Sequence, residues 1–181
     1  MLKRELLNPK VNEVLDAVEL RKVIHYDEES GVVTWRKKLG NRTKVGALVG
    51  SVNKHSGYIQ VKIYGTQYQL HRLIWLYVYG QYPIGDIDHV NHVRADNRLV
   101  NIRDVTRVQN GRNQSLPSTN TSGVVGVYWH KTNKTWIAQI RVKDSGNIPL
   151  GSFAKFSEAV DARKLAEVAY GFHENHGKEK I

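Results

Sequence analysis

The residue types best suited to chemistry are concentrated in one block, residues 87–114, which reads IDHVNHVRADNRLVNIRDVTRVQNGRNQ. Asp88 and His89 are adjacent, Asn101 follows His89 by twelve residues, and Asn110 follows Asn101 by nine. A histidine that titrates near neutral pH can deprotonate a water. A hard cation on oxygen ligands, such as Asp88 and the amide oxygen of Asn110, can stabilise a phosphate and its leaving oxygen. The block therefore predicts metal-assisted hydrolysis of a phosphodiester bond.

A second interpretation of the same block is structural, because asparagine side chains also form turns with their own backbone. Three asparagines of the block are expected to act in this way: Asn91, Asn97 and Asn113. His92 lies three residues after His89 and forms, with Asp96, the next pair to consider as metal ligands. His71, in the segment QLHRLIW, is predicted to be a buried, hydrogen-bonded histidine.

Composition narrows the choice of partner and compartment. The 181-residue chain has 27 Lys and Arg against 17 Asp and Glu, a net charge of +10, so the expected partner is a polyanion, with nucleic acid first. The absence of cysteine excludes a disulfide framework, a thiolate zinc site and a thiol nucleophile. No apolar run approaches the roughly 18 residues of a membrane span, and the first residues lack the apolar stretch of a secretory signal. We therefore expect a cytoplasmic protein with no membrane partner.

The elements that precede the block are predicted from the periodicity of apolar residues. Residues 11–24 place them at helical spacing and predict a short amphipathic helix. The run YDEESGVVTWRKK from Tyr26 predicts a hairpin, and residues 58–64 alternate as a strand with one polar face. The chain is then expected to turn into a partner strand and a helix over residues 70–79 that ends at Gly80.

A polar segment, SLPSTNTSG, follows the block and has the composition of a linker. After it, the segments VVGVYWH, KTWIAQIRVK and NIPLGSF predict three short antiparallel strands. Residues 157–170 predict a helix with Ser157 as its N-cap, and its alanine-rich stripe suits close packing on a sheet. The residues expected on the helix-facing side of the middle strand are Trp136, Ala138, Ile140 and Val142.

The spacing of the four chemical residues resembles that of HNH endonucleases, and more narrowly the H-N-N variant of phage and intron homing endonucleases. The resemblance covers residues 25–114, through YDEESGVVTW, HRLIW, IDH, DNRLVNIR and VTRVQNGRN. It implies a ββα-metal motif in which His89 is the general base and Asn101 orients and supports it. It also implies that Asp88 and Asn110 bind one divalent cation. Because Asn110 keeps an oxygen ligand where the family name has histidine, Mg²⁺, with Mn²⁺ as the alternative, is expected rather than zinc.

Residues 122–176 resemble the AP2 DNA-binding domain, through SGVVGVYWHKTNKTWIAQIRV, PLGSF, the alanine-rich helix and the closing GFHENHG. In that family the sheet enters the major groove of double-stranded DNA, so the polar face of the middle strand is expected to meet DNA. Arginine can pair with guanine and glutamine with adenine, whereas lysine more often meets phosphate. The chain departs from plant members of the family, which carry several arginines and a tryptophan on this face. The expected DNA contacts are Tyr128, His130, Lys131, Gln139, Arg141 and Lys143.

These patterns and resemblances predict an α+β fold in four parts. An N-terminal helix over residues 1–24 precedes an HNH nuclease domain over 25–114. A linker over 115–122 then leads to an AP2-like domain of three antiparallel strands and a helix over 123–177. The predicted function is a metal-dependent DNA endonuclease of the homing type. The alternative is a non-catalytic DNA-binding or regulatory protein that uses the nuclease block as a scaffold.

Overall fold

The computed structural model describes residues 15–143 and 145–178 of the chain. Residues 11–14 of the predicted N-terminal helix therefore lie outside the described residues. The chain divides into two compact units, residues 1–105 and 106–181, so the segment predicted as a linker lies inside the second unit. In the described part of the chain, no helix has the length and apolar character that crossing a bilayer requires.

The first unit opens with a short helix and a hairpin. Helix α1 (Ala17–Val23) begins after Asp16, whose carboxylate accepts a hydrogen bond from the backbone N–H of Glu19. Strands β1 (Ile24–Tyr26) and β2 (Val33–Trp35) pair antiparallel, which confirms the predicted hairpin. Side chains that alternate inward along both strands are buried, so the hairpin presents one apolar face to the core.

A three-stranded antiparallel sheet and a helix follow. Strands β3 (Ser51–Val52), β4 (Ile59–Ile63) and β5 (Thr66–Gln69) lie in that order in the sheet. Helix α2 (Leu70–Tyr79) starts directly after β5 and ends where Gly80 adopts the left-handed conformation, with φ of 75°. The predicted strand, partner strand and helix are therefore confirmed.

The candidate site lies on a second hairpin of this unit. Strands β6 (Asp86–His89) and β7 (Ile102–Val105) pair antiparallel, and a 3-10 helix (Leu99–Asn101) leads into β7. The core of the unit holds large, fully buried side chains, each of which contributes roughly 1.5–3 kcal/mol on burial. They are Leu20, Val23, Ile24, Ile63, Leu73 and Ile74.

The second unit begins with a short helix and continues into a sheet covered by a longer one. Helix α3 (Arg107–Gly111) is stabilised by a capping box between Thr106 and Gln109, so the chain order strand, strand, helix is present as β6, β7 and α3. Strands β8 (Val127–His130), β9 (Thr135–Val142) and β10 (Gly146–Phe153) form an antiparallel sheet in the order β10-β9-β8, and helix α4 (Phe156–Ala169) follows. The three predicted strands and the predicted helix are present.

The middle strand of this sheet alternates as predicted. Ala138 and Ile140 are fully buried, and Ala138 packs with Ala159 of α4, whereas Arg141 is exposed. The predicted N-cap is wrong, because α4 begins at Phe156 and its cap residue, Lys155, makes no side-chain capping bond. The Phe156 ring lies 4.6 Å from the Trp136 ring, so the first residue of the helix packs against the sheet.

Candidate active site and nucleic-acid interface

Asp88 and His89 occupy the end of β6, and both side chains are buried. Arg103 lies opposite Asp88 in the β6–β7 register and donates from Nε and Nη2 to the same carboxylate oxygen, at 2.9 and 2.7 Å. The carboxylate is therefore held in an ion pair at the surface of the hairpin, with the arginine about one third exposed. Charge-assisted bonds of this kind fix the position of a buried carboxylate.

The His89 ring is held by a side chain that the sequence assigned only to a turn. Its Nε2 lies 3.1 Å from Oδ1 of Asn97, and the two groups are buried. Because an amide oxygen only accepts, Nε2 carries the ring proton and the lone pair is left on Nδ1. Burial lowers the pKa of His89, although the hydrogen bond that the ring donates to Asn97 acts in the opposite direction. The neutral form that a general base requires is thus favoured.

Asn101 closes the loop between β6 and β7. Its amide nitrogen donates to the backbone oxygen of Asp96 at 2.7 Å, and its amide oxygen accepts from the backbone N–H of Asn91 at 3.0 Å. Its own backbone oxygen accepts from Val90 at 2.9 Å. Asn101 thus holds the loop from which Asn97 reaches the His89 ring.

Asp96, which the sequence pairs with His92 as a further candidate metal ligand, is bonded within this loop. Its carboxylate accepts two hydrogen bonds from Arg98, at 2.8 and 2.6 Å, and one from the Asn91 amide at 2.7 Å. These bonds, led by that from Arg98, lower the pKa of Asp96 to about 2. His92 itself lies at a left-handed backbone position, with φ of 65°, where the loop turns.

The hairpin of β1 and β2 contacts the loop that carries Asn97. The Tyr26 hydroxyl donates to the backbone oxygen of Asn97 at 2.8 Å, and burial raises the pKa of Tyr26, which keeps the hydroxyl protonated. At Gly31, where φ is 73°, a Cβ would lie 2.5 Å from the backbone nitrogen of Arg98. Only glycine permits this approach of hairpin and loop. Sequence reasoning missed both contacts, since nothing in the local pattern marks a tyrosine or a turn glycine as part of a site.

Two further aromatic rings surround His89. The His71 ring lies 5.3 Å from it and the Tyr58 ring 5.7 Å, and these two are 4.9 Å apart. His71 is buried, as predicted. These rings help to bury His89, and burial is the main cause of its lowered pKa.

The candidate metal ligands are two oxygen donors, Asp88 and Asn110. Among residues 15–143 and 145–178, no cluster of three or more His, Asp or Glu side chains could hold an ion. Asp88 offers a carboxylate in the first unit, and Asn110, in α3 of the second unit, offers an amide oxygen. Carboxylate and amide oxygens are the donor types that a hard cation such as Mg²⁺ prefers.

Four of the residues expected to contact DNA lie on one face of the second unit's sheet. Tyr128 pairs with Ile137 and His130 with Thr135, so they share the face that carries Gln139 and Arg141. Tyr128 is 41% exposed, and three cationic side chains of the set are also exposed. They are Lys131, Arg141 and Lys143.

Comparison with known families assigns one segment of the chain. Residues 68–112 match the family model described as HNH endonuclease, and this match supports a nuclease of the HNH type. The matched segment runs from β5 to the end of α3 and contains all four residues of the predicted chemical set. No curated protein and no solved structure compared with the chain gave a match.

Proposed function

We propose that the protein is a metal-dependent endonuclease of double-stranded DNA, of the H-N-N homing type, with His89 as its general base. The observation that carries the proposal is the buried pair of His89 and Asn97 beside Asp88, inside the segment that matches HNH endonucleases. A neutral histidine whose tautomer is set by a neighbour is what activation of a water requires. The net charge of +10 suits a DNA substrate.

The proposed reaction is a direct hydrolysis. Nδ1 of His89 accepts a proton from water as the water oxygen forms a bond to phosphorus, and the bond from phosphorus to the 3′ oxygen breaks. The leaving oxygen then takes a proton from solvent. Asp88 and Asn110 would hold the divalent cation, Mg²⁺ or alternatively Mn²⁺. When bound, the cation supplies charge neutralisation at the phosphate and the leaving oxygen.

Asn97 and Asn101 act as positioning residues in this proposal. Asn97 keeps the lone pair of His89 on Nδ1, and Asn101 keeps the loop closed. Nδ1 of His89 is a buried atom, so the reacting water must be able to reach a buried position.

The second unit supplies DNA binding in this proposal. Its exposed face, which includes Tyr128, His130, Lys131, Gln139, Arg141 and Lys143, would lie against the duplex as in AP2 domains. Arg141 and Gln139 carry the groups suited to base edges, and the lysines those suited to phosphates.

The alternative function is a DNA-binding or regulatory protein without catalysis. Two observations favour it: the Asp88 carboxylate is already paired with Arg103, and Nδ1 of His89 is enclosed. A nicking assay on supercoiled plasmid separates the two functions. The endonuclease converts the plasmid to open-circular or linear form with Mg²⁺ and stops when EDTA is added. Binding without conversion, in Mg²⁺ and in Mn²⁺, would establish the regulator.

A further inference from the structure

The second unit contains a cleft of about 640 Å³ at the end of strand β9. One side is formed by α3 and the residues that follow it, and the other by the ends of β9 and β10. This volume lies within the range of sites that bind ligands. The cations that line it are Arg107, Arg112, Arg141, Lys143 and Arg163.

The floor of the cleft is formed by the buried Arg163 and the backbone around Gly126. Arg163 is buried and bonds through Nε to Glu167 at 2.9 Å, while its Nη1 donates to the backbone oxygen of Gln139 at 2.7 Å. At Gly126, where φ is 77°, a Cβ would lie 2.3 Å from that same oxygen and 2.9 Å from Nη1 of Arg163. The floor therefore depends on close backbone contact, and its buried cation, Arg163, is paired with a carboxylate that Lys164 also contacts.

The other cations of the cleft, which form its rim, differ from Arg163 because none of them is paired with a described carboxylate. Within residues 15–143 and 145–178, no Asp or Glu lines the cleft, and no ion pair involves Arg107, Arg112, Arg141 or Lys143. Gathering like charges around a concave surface costs free energy, and a bound anion offsets that cost. The arrangement is therefore that of an anion site.

We propose that this cleft binds backbone phosphates of DNA, in a segment of duplex that continues beyond the sheet face. The inference rests on the proposed function, because Gln139, Arg141 and Lys143 belong both to the cleft and to the proposed DNA face. Arg107 and Arg112 are then additional phosphate contacts that the sheet alone would not supply.

The cleft suits a backbone better than a free nucleotide because its aromatic ring is already covered. The Phe172 ring lies 5.8 Å from the Arg112 guanidinium, 5.4 Å from that of Arg163 and 4.8 Å from the His176 ring. A nucleobase is thus offered no open stacking surface there, whereas a phosphate needs only the cations.

The test measures DNA affinity of the full chain as a function of salt. Arg107→Gln and Arg112→Gln should each weaken binding of a labelled duplex roughly five- to tenfold and lower the log–log salt slope by about 0.9. Lys155→Gln is the matched control, because it removes one exposed positive charge of the same unit outside the cleft. It should change neither quantity measurably. Thermal unfolding of each variant checks that the fold is kept.

The outcomes separate this inference from the proposed function. If Arg141→Gln weakens binding while both cleft variants behave like Lys155→Gln, the cleft assignment is overturned and DNA binding stands. A full chain that binds no duplex overturns both. If the cleft variants weaken only the binding of free dAMP, the cleft is a nucleotide site and the inference is wrong. Cleavage is not used in the test, so an inactive protein leaves its result intact.

Discussion

At the scale of single residues, the site depends on one histidine being neutral and correctly oriented. His89 has its lone pair on Nδ1 because Nε2 donates to Asn97, and burial lowers its pKa. A general base stabilises the transition state and not the bound DNA, so its loss lowers the cleavage rate and leaves the affinity for DNA unchanged.

His89→Ala should lower the single-turnover rate of plasmid cleavage by roughly 10²- to 10⁴-fold. Duplex affinity, measured by fluorescence anisotropy, should remain close to that of the unchanged chain. His55→Ala serves as the control, because His55 is an exposed loop residue of the same unit. A His89→Ala chain that cleaves at nearly the original rate would remove His89 from the mechanism.

Asn97→Asp should move the acid limb of the pH–rate profile to higher pH. The substitution places a carboxylate beside Nε2 of His89, which favours the imidazolium and raises the pKa of His89. The reaction needs the neutral ring, so the cleavage rate falls as the pH drops through that pKa. A higher pKa therefore moves this loss of rate to a higher pH. Asn41→Asp adds the same charge at an exposed position and should leave the limb in place. An unshifted profile in Asn97→Asp would contradict the assigned contact.

Asp88→Asn should raise the Mg²⁺ concentration needed for half-maximal cleavage by at least about tenfold, because a neutral amide replaces the charged ligand. Asn110→Ala should have a smaller effect of the same kind. Glu29→Gln removes an exposed charge from the same unit as Asp88 and is the control. If the unchanged chain and all three variants need the same Mg²⁺ concentration, neither Asp88 nor Asn110 binds the cation.

At the scale of elements, local patterns predicted the secondary structure and missed the contacts between elements. The hairpin of β1 and β2 and the helix ending at Gly80 follow from periodicity and turn residues, which act within a few positions. The support of Asn97 by Tyr26 joins residues 71 positions apart, and no local signal announces it. From sequence, Asn97 cannot be distinguished from an asparagine that only forms a turn, because its role depends on its contact with the His89 ring.

Tyr26→Phe tests the contact between the hairpin and the loop. Losing the hydroxyl leaves the Asn97 oxygen without that donor, so the free energy of unfolding should fall by about 1 kcal/mol. If the loop positions His89, kcat should fall several-fold while KM stays constant. Tyr64→Phe is the control, since it removes a hydrogen bond to Glu19 at an exposed site. Loss of stability with an unchanged kcat would make Tyr26 a purely structural residue.

At the scale of the whole molecule, the two units provide different properties in the proposed function. A fragment ending at Leu116 would not isolate the nuclease, because residues 112–116 are bonded to the end of the chain. The backbone of Arg112 accepts from His173, and that of Leu116 donates to Lys178, both at 3.0 Å. The division of labour is better tested by substitutions in the full chain.

Arg141→Gln should weaken duplex binding and reduce the log–log salt slope by about 0.9, while cleavage at saturating DNA stays near its original rate. His89→Ala should show the reverse, with affinity kept and cleavage lost. Relaxed sequence preference in Arg141→Gln would indicate base contact rather than phosphate contact. If cleavage at saturating DNA falls as steeply as affinity does, the second unit takes part in the chemistry as well.

The bond between Tyr26 and Asn97 also has a consequence for the order of folding. Closing a loop of 71 residues carries an entropic cost that is met only when the surrounding contacts are made together. The hairpin needs only local contacts, whereas the loop below His89 needs both ends of this span. We therefore expect the geometry around His89 to form late, so that a chain still being synthesised has its hairpin before the proposed site is complete.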